Sequence, residues 1–128
     1  MIEFALVEEL KAIAGDENVL TSPEELLCYS YDGTVLQHLP EIVVLPRTTE
    51  EVAATVRLAH RERIPIVPRG AGTNLAGGTI PIQGGIVLSL TRMTDILEID
   101  TVNMVAVVQP GVVTGKIQAE VAKQGLYY

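Results

Sequence analysis

Cysteine occurs once in this chain of 128 residues, at Cys28, and histidine twice, at His38 and His60. A single cysteine cannot form an internal disulfide, which excludes a disulfide-stapled secreted scaffold. The same scarcity excludes a structural zinc site, whose tetrahedral shell these side chains cannot fill. Cys28 itself reads as a small buried apolar residue rather than a nucleophile. No apolar run approaches the ~18 residues of a membrane-spanning helix. The N-terminus, Met1-Ile2-Glu3-Phe4, lacks a basic start, and Glu8, Glu9 and Lys11 interrupt the apolar residues after it, so no secretion signal is expected.

What is present is an ordinary globular balance, 48% apolar and 20% charged, in a chain of a size for one domain or one piece of a larger fold. The net charge of −7 disfavours nucleic acid as a partner. Its distribution says more. Residues 1–51 carry eleven acids against two bases, whereas 52–92 carry one acid against five bases. An anionic ligand belongs in that basic middle, which also holds most of the glycine.

Periodicity predicts a helix over 3–14 with Phe4, Val7, Leu10 and Ile13/Ala14 on one face, stopped by Gly15. Ser22-Pro23-Glu24-Glu25 is an N-cap, first-turn proline and capping-box glutamate for a short helix over 23–29. The apolar run Ile42–Leu45 predicts a strand covered on both faces. A second capping box, Thr48 to Glu51, then opens a helix with Val52, Val56 and Ala59 inward, and Ile66-Val67-Pro68 predicts another buried strand. Strand, helix and strand make a βαβ unit. Beyond residue 85, Ile86–Leu90, Ile96–Ile99 and Met104–Gln109 have short connectors, which predicts an antiparallel meander. Thr114 is expected to cap a last helix with Ile117 and Val121 inward, ended by Gly125. The fold class is α+β: a βαβ subdomain with flanking helices over about 1–80, then the start of an antiparallel sheet subdomain over 81–128.

The segment from Pro68 to Thr79 is the richest in chemistry. Gly70, Gly72, Gly77 and Gly78 let backbone amides turn inward as an anion-binding nest, and the loop leaves the carboxyl end of a strand, where open α/β sheets bind ligands. Arg69 can add positive charge, and Thr73 and Asn74 side-chain donors. Gly72 is where an added side chain is expected to fill the phosphate space. No Gly-Lys-Ser/Thr closes the loop, and position 75, where a dinucleotide fingerprint needs its third glycine, is Leu75. Two readings stand: a turn-rich surface connection, or a phosphate loop of a third kind. Asp32 reads as a turn former and His38 as a loop residue. His60 suits a helix C-terminus, and Arg92 could help neutralise phosphate.

Pro68-Arg69-Gly70-Ala71-Gly72-Thr73-Asn74 with Gly77-Gly78 resembles the pyrophosphate loop of the FAD-linked oxidases of the vanillyl-alcohol oxidase/p-cresol methylhydroxylase (PCMH) type. Tyr29-Ser30-Tyr31-Asp32-Gly33, Val43–Val52 and Val108-Gln109-Pro110-Gly111-Val112 are similar in order and spacing, within the group of glycolate oxidase flavoprotein subunits and D-lactate dehydrogenases. The resemblance implies a PCMH-type FAD-binding fold, here its N-terminal part only, with FAD as cofactor. It implies that the amides of Gly70, Ala71, Gly72, Thr73 and Asn74 face the pyrophosphate, together with Gly77 and Gly78, and that Arg69 flanks it. Pro46 would lie near the adenine, and Pro110, Gly111 and Val112 near the flavin. The loop has no histidine for covalent flavin attachment.

The resemblance further implies an oxidoreductase acting on a small 2-hydroxy acid by hydride transfer from C2 to flavin N5. Substrate and cap-domain residues lie outside this chain, so the chain alone is expected to be inactive and carries no catalytic or metal residue. Electron-transfer partner subunits, self-association through incomplete sheets, and a cytoplasmic location, peripheral to the inner membrane through those subunits, are the remaining expectations. The rival readings are a free-standing phosphate- or nucleotide-binding module, and a subunit-interaction module, each without redox activity.

Overall fold

The computed structural model describes residues 3–128; the Met1-Ile2 start that enters the secretion-signal reading lies outside the described residues. In chain order the elements are α1 (Phe4–Ala14), β1 (Val19–Leu20), α2 (Pro23–Leu27), β2 (Ile42–Val44), α3 (Thr49–Glu62), β3 (Ile66–Arg69), β4 (Ile86–Ser89), β5 (Ile96–Asp100), β6 (Val105–Val108) and α4 (Thr114–Ala122).

Local chemistry sets most of the ends. Ser22 accepts from the Glu25 amide while the Glu25 carboxylate accepts from the Ser22 amide, the reciprocal box expected there. At α3 only half a box forms. Thr48 accepts from the Glu51 amide, but the Glu51 carboxylate folds back past Thr48 and takes the Arg47 amide at 2.7 Å and its guanidinium at 3.3 Å. Gly15 ends α1 at φ +94°, and the Asn18 side chain donates to the Ala14 carbonyl at 2.7 Å, satisfying one of the helix's free acceptors. Thr114 is the first residue of α4 rather than its cap; Val113 holds the cap position and makes no side-chain bond.

β1 to β4 form one sheet in the order β1-β2-β4-β3, with β1 antiparallel to β2 and the other pairs parallel. Alternation along the strands feeds two cores. Ile42, Val44, Ile86 and Leu88 pack with Leu6, Leu10, Ala14, Leu58 and Ala59 of α1 and α3. Val43, Leu45 and Val87 face the other way, where Leu20, Leu26, Tyr29 and Val67 cover them. α1 therefore buries Leu6, Leu10 and Ala14, while Phe4 is exposed. α3 likewise buries Thr55, Leu58 and Ala59 rather than Val56. The expected faces hold in the main: Leu10, Ala14 and Ala59 are buried and Val7, Ile13 and Val52 pack half-buried against the same core, and only Phe4 and Val56 fall outside it.

The larger correction concerns β4. It is not the first strand of a meander: it enters between β2 and β3, parallel to both, with Ile42 and Ile66 both opposite Ile86. The first sheet thus runs past the division placed at 80. Of the three strands expected in the meander, β5 and β6 alone pair with each other, antiparallel, as a separate two-stranded sheet. The short connector after β4 fits either arrangement; what decides is the segment 70–85 before it. That segment can reach about 50 Å fully extended, ample to return along a four-residue strand without a helix. β3 in consequence is an edge strand and half-buried, and Pro68, lacking an N–H, sits where a free edge tolerates it.

Two substitutions check this packing. Gly85, at φ +75°, opens β4 with its Cα against the Pro65 carbonyl oxygen, so Gly85→Ala drives a methyl group into backbone and should unfold the sheet cooperatively. Thr55 buries a hydroxyl that no described residue bonds. Thr55→Val should leave the melting temperature unchanged or raise it, since it removes an unsatisfied polar group without changing shape. A fall comparable to that of Ile86→Ala, about 2–5 kcal/mol, would contradict that account.

Candidate functional site

Because β2, β3 and β4 are parallel and in register, their carboxyl ends open onto one edge of the sheet. The connections leaving them begin at Leu45, Gly70 and Leu90. The second of these is the glycine-rich segment. Its outer side forms an open concavity of about 440 Å³, lined by residues 70–74 with Ala76, Gly78 and Thr79. Among the described residues, no acceptor stands against the amides of Gly72, Thr73 and Asn74. A Cβ built at Gly70 or Gly78 meets nothing within 4 Å, so at these two positions the missing side chain leaves open space.

The inner side of the loop is held from below. Arg69 is 5% exposed; its Nη1 donates to the Tyr31 carbonyl at 2.6 Å and its guanidinium lies 5.8 Å from the centre of the Tyr29 ring. A Cβ at Gly72 (φ +72°) would run into that guanidinium. Gly72 is thus required on a ground that the sequence did not show: its absent side chain makes room for the Arg69 guanidinium within the loop. Arg69 supplies its charge from behind the amides. The Asn74 side chain is also turned inward. Its Nδ2 donates to Asp32 Oδ2 at 2.7 Å and its Oδ1 accepts from the Thr79 hydroxyl at 3.0 Å, so it is not a free donor for a ligand.

Asp32 completes this network and does more than form the turn expected of it. Its Oδ1 accepts from the Thr34 amide at 2.8 Å and hydroxyl at 2.6 Å, while Gly33 donates its amide to the Asn74 carbonyl at 2.9 Å. The Thr34 hydroxyl first, then the Thr34 amide, Asn74 and the Gly77 amide hold the Asp32 carboxyl below its ordinary value, against the opposing effect of burial. The signal in the sequence is a turn former beside two tyrosines, with a distant loop rich in polar side chains that need partners. Nearby, burial and then Cys28 push the Tyr29 phenol up, while Arg69 and Arg92 pull it back; Arg92 lies on the connection that leaves β4 at this edge of the sheet.

The other expected site residues lie apart from the concavity. Pro46 is fully buried at the end of β2. Gly77 sits beside Leu36. Pro110 lines a separate apolar hollow of about 240 Å³ with Thr49, Val52, Leu90 and Met93. Gly111 is packed on the carbonyl oxygens of Leu90 and Met93 and donates its amide to Met93, and Val112 is half-buried beside it. Cys28 is exposed, contrary to its reading as a buried apolar residue, because the short α2 ends at the surface. His38 and His60 are exposed, and among the described residues no cluster of metal-ligating side chains occurs.

A family model described as FAD binding domain matches residues 40–128, which include the whole glycine loop and the edge it leaves. The chain belongs to this FAD-binding family. A glycolate oxidase subunit GlcD of Bacillus subtilis (strain 168) is 45% identical over 129 residues, covering all of this chain and 27% of that protein. A D-lactate dehydrogenase of Anaerostipes hadrus is 38% identical over 125 residues, covering 96% of this chain and 26% of that protein. A crystal structure of p-cresol methylhydroxylase with substrate bound superposes with a TM-score of 0.84 at 30% identity, over 95% of this chain and 25% of that one. The chain thus spans about a quarter of the length of these relatives, and the α+β fold is of the PCMH type.

The cofactor of this family fits the concavity on the structure's own terms. A pyrophosphate needs converging donors and a close backbone approach. The free amides of Gly72 to Asn74 supply the first, and the bare Cα atoms of Gly70 and Gly78 the second.

The depressed carboxyl of Asp32 sets the acid behaviour of this glycine loop. Its contribution is complete above about pH 4 and is lost only as pH falls through the lowered folded value. Limited proteolysis of residues 70–79 should therefore show no change from neutral pH down to about pH 5. Cleavage that rises across that interval would show that another group holds the loop.

Proposed function

We propose that this chain is the pyrophosphate-holding part of an FAD-dependent 2-hydroxy-acid dehydrogenase. The observation that carries the reading is the division of labour in the glycine loop: the Arg69 and Asn74 side chains are bonded inward, while the unbonded amides of Gly72 to Asn74 and the open positions Gly70 and Gly78 line the concavity beside the exposed Thr73. Backbone amides at residues 70–74 bind the diphosphate, and the buried guanidinium of Arg69 adds positive potential from behind them. Two relatives bear the names of enzymes whose substrates, glycolate and D-lactate, are both 2-hydroxy acids.

Bound flavin would supply the hydride acceptor at N5, the substrate losing its hydride from C2. Groups that select the acid and take its proton lie in the three-quarters of the relatives that this chain does not span, so the chain alone binds without turnover. The apolar hollow around Pro110, on the adjacent strand connection, would meet the non-phosphate part of the cofactor. Electron transfer to a partner subunit belongs to the same reading, one relative being named as a subunit.

The test separates folding from binding. Gly78→Val adds its side chain to open space, so the melting temperature should match the parent, while FAD affinity should fall by at least about tenfold. A variant that binds FAD like the parent would remove the concavity as the phosphate site. ADP is the companion ligand: ADP binding as tight as FAD binding would favour a nucleotide-binding module without redox function.

A further inference from the structure

We infer that Asp32 is the positioning residue of the glycine loop, acting through Asn74 to preset the conformation in which the amides of Gly72 to Asn74 face the ligand. The inference rests on the reading that this loop holds the FAD pyrophosphate. Its starting point is a contradiction in charge. A carboxylate only 7% exposed stands behind a loop assigned to an anion, where like-charge repulsion should exclude it.

The contradiction resolves in the bonds the carboxylate makes. Oδ1 is occupied by the amide and hydroxyl of Thr34, and Oδ2 by the side-chain amide of Asn74. A carboxamide at position 32 reproduces this set only if Asn74 turns its own carboxamide over, with Oδ1 toward residue 32 and Nδ2 toward the Thr79 hydroxyl, so the carboxylate is what fixes the orientation of Asn74. Asn74 is in turn held at three points: by Asp32, by the Thr79 hydroxyl and, at its carbonyl, by the Gly33 amide. Arg69 ties the stem of the loop to the carbonyl of Tyr31, the residue before Asp32. The 31–34 turn thus grips the loop at its stem and its middle; with the Arg69 and Asn74 side chains spent inward, the loop offers its backbone and the exposed Thr73 side chain outward.

The sign of one effect separates positioning from mere proximity. If Asp32 were simply a nearby negative charge, Asp32→Asn would strengthen FAD binding by removing repulsion. As a positioning residue its replacement removes the charge-assisted contact that orients Asn74, leaving its carboxamide to turn over or to face N–H against N–H, so FAD affinity should fall, by about tenfold or more. Asn74→Asp alone brings two carboxylates into contact and should weaken binding as well. In the double variant, Asp32→Asn with Asn74→Asp, carboxylate and carboxamide exchange places and the contact re-forms with the donor reversed. The double variant should bind FAD more tightly than either single one and recover the melting temperature and the slow hydrogen exchange of the Gly33 amide.

Flavin fluorescence titration, thermal melting and amide exchange on the 128-residue chain read all of this. The inference is overturned if Asp32→Asn binds FAD as tightly as the parent or more tightly, or if the double variant is no better than the single ones. Should Asp32→Asn fail to fold, recovery or non-recovery in the double variant decides. A parent chain that binds no FAD defeats the functional reading instead. The positioning role is then judged by exchange at Gly33 and Ile80: accelerated in both single variants and restored in the double one if it holds, unchanged if it does not.

Discussion

β4 lies between β2 and β3 and runs parallel to both, and that placement constrains everything around it. A chain leaving β3 at the carboxyl edge must return to the amino edge before it can start β4. Here it does so over residues 70–85 without a helix. A helical crossover would satisfy its own backbone; an irregular one must find partners elsewhere or leave amides free. In this loop both happen. Ile80 and Pro81 are buried, Gly84 and Gly85 turn the chain back under Pro65 and Glu41, and the first part of the segment is left with outward amides. The proposed anion site is the unfinished hydrogen bonding of a crossover.

Such a loop needs support from within, and electrostatics decides what form it takes. Arg69 and Asp32 are both almost fully buried, and an isolated buried charge is costly enough that each must be matched by hydrogen bonds. Each is matched mainly by the other's surroundings: Arg69 by the carbonyl of Tyr31, Asp32 by donors from Thr34, Asn74 and Gly77. The result is a loop with little freedom to lose when a ligand arrives. Preorganisation of this kind favours affinity by lowering the ordering cost of binding.

How much of this was legible in the sequence depends on which interactions are local. Ser22 with Glu25, Gly15 and Gly125 act within a turn of the chain, and each was readable where it stands. The apolar run Ile42–Leu45 announced a strand covered on both sides, and it is one. The exposure of Phe4 and Val56 and the insertion of β4 depend on which elements lie beside them, a long-range matter that periodicity does not carry. The glycine loop was recognisable by composition, yet composition could not say which way its side chains turn. Arg69 and Asn74 looked like ligand contacts because they are polar, and they prove to be internal supports because Tyr31 and Asp32, about forty residues away, need them.

The most direct measurement is a two-dimensional NMR titration of the isotope-labelled chain with FAD, followed at the backbone amides. The account predicts that the largest shifts fall on Gly70 to Asn74 and Gly78, with Asp32 and Thr34 unmoved because their bonds are already made. Shifts centred elsewhere, or a loop whose amides ignore FAD while other regions respond, would contradict the assignment of the pyrophosphate to this crossover.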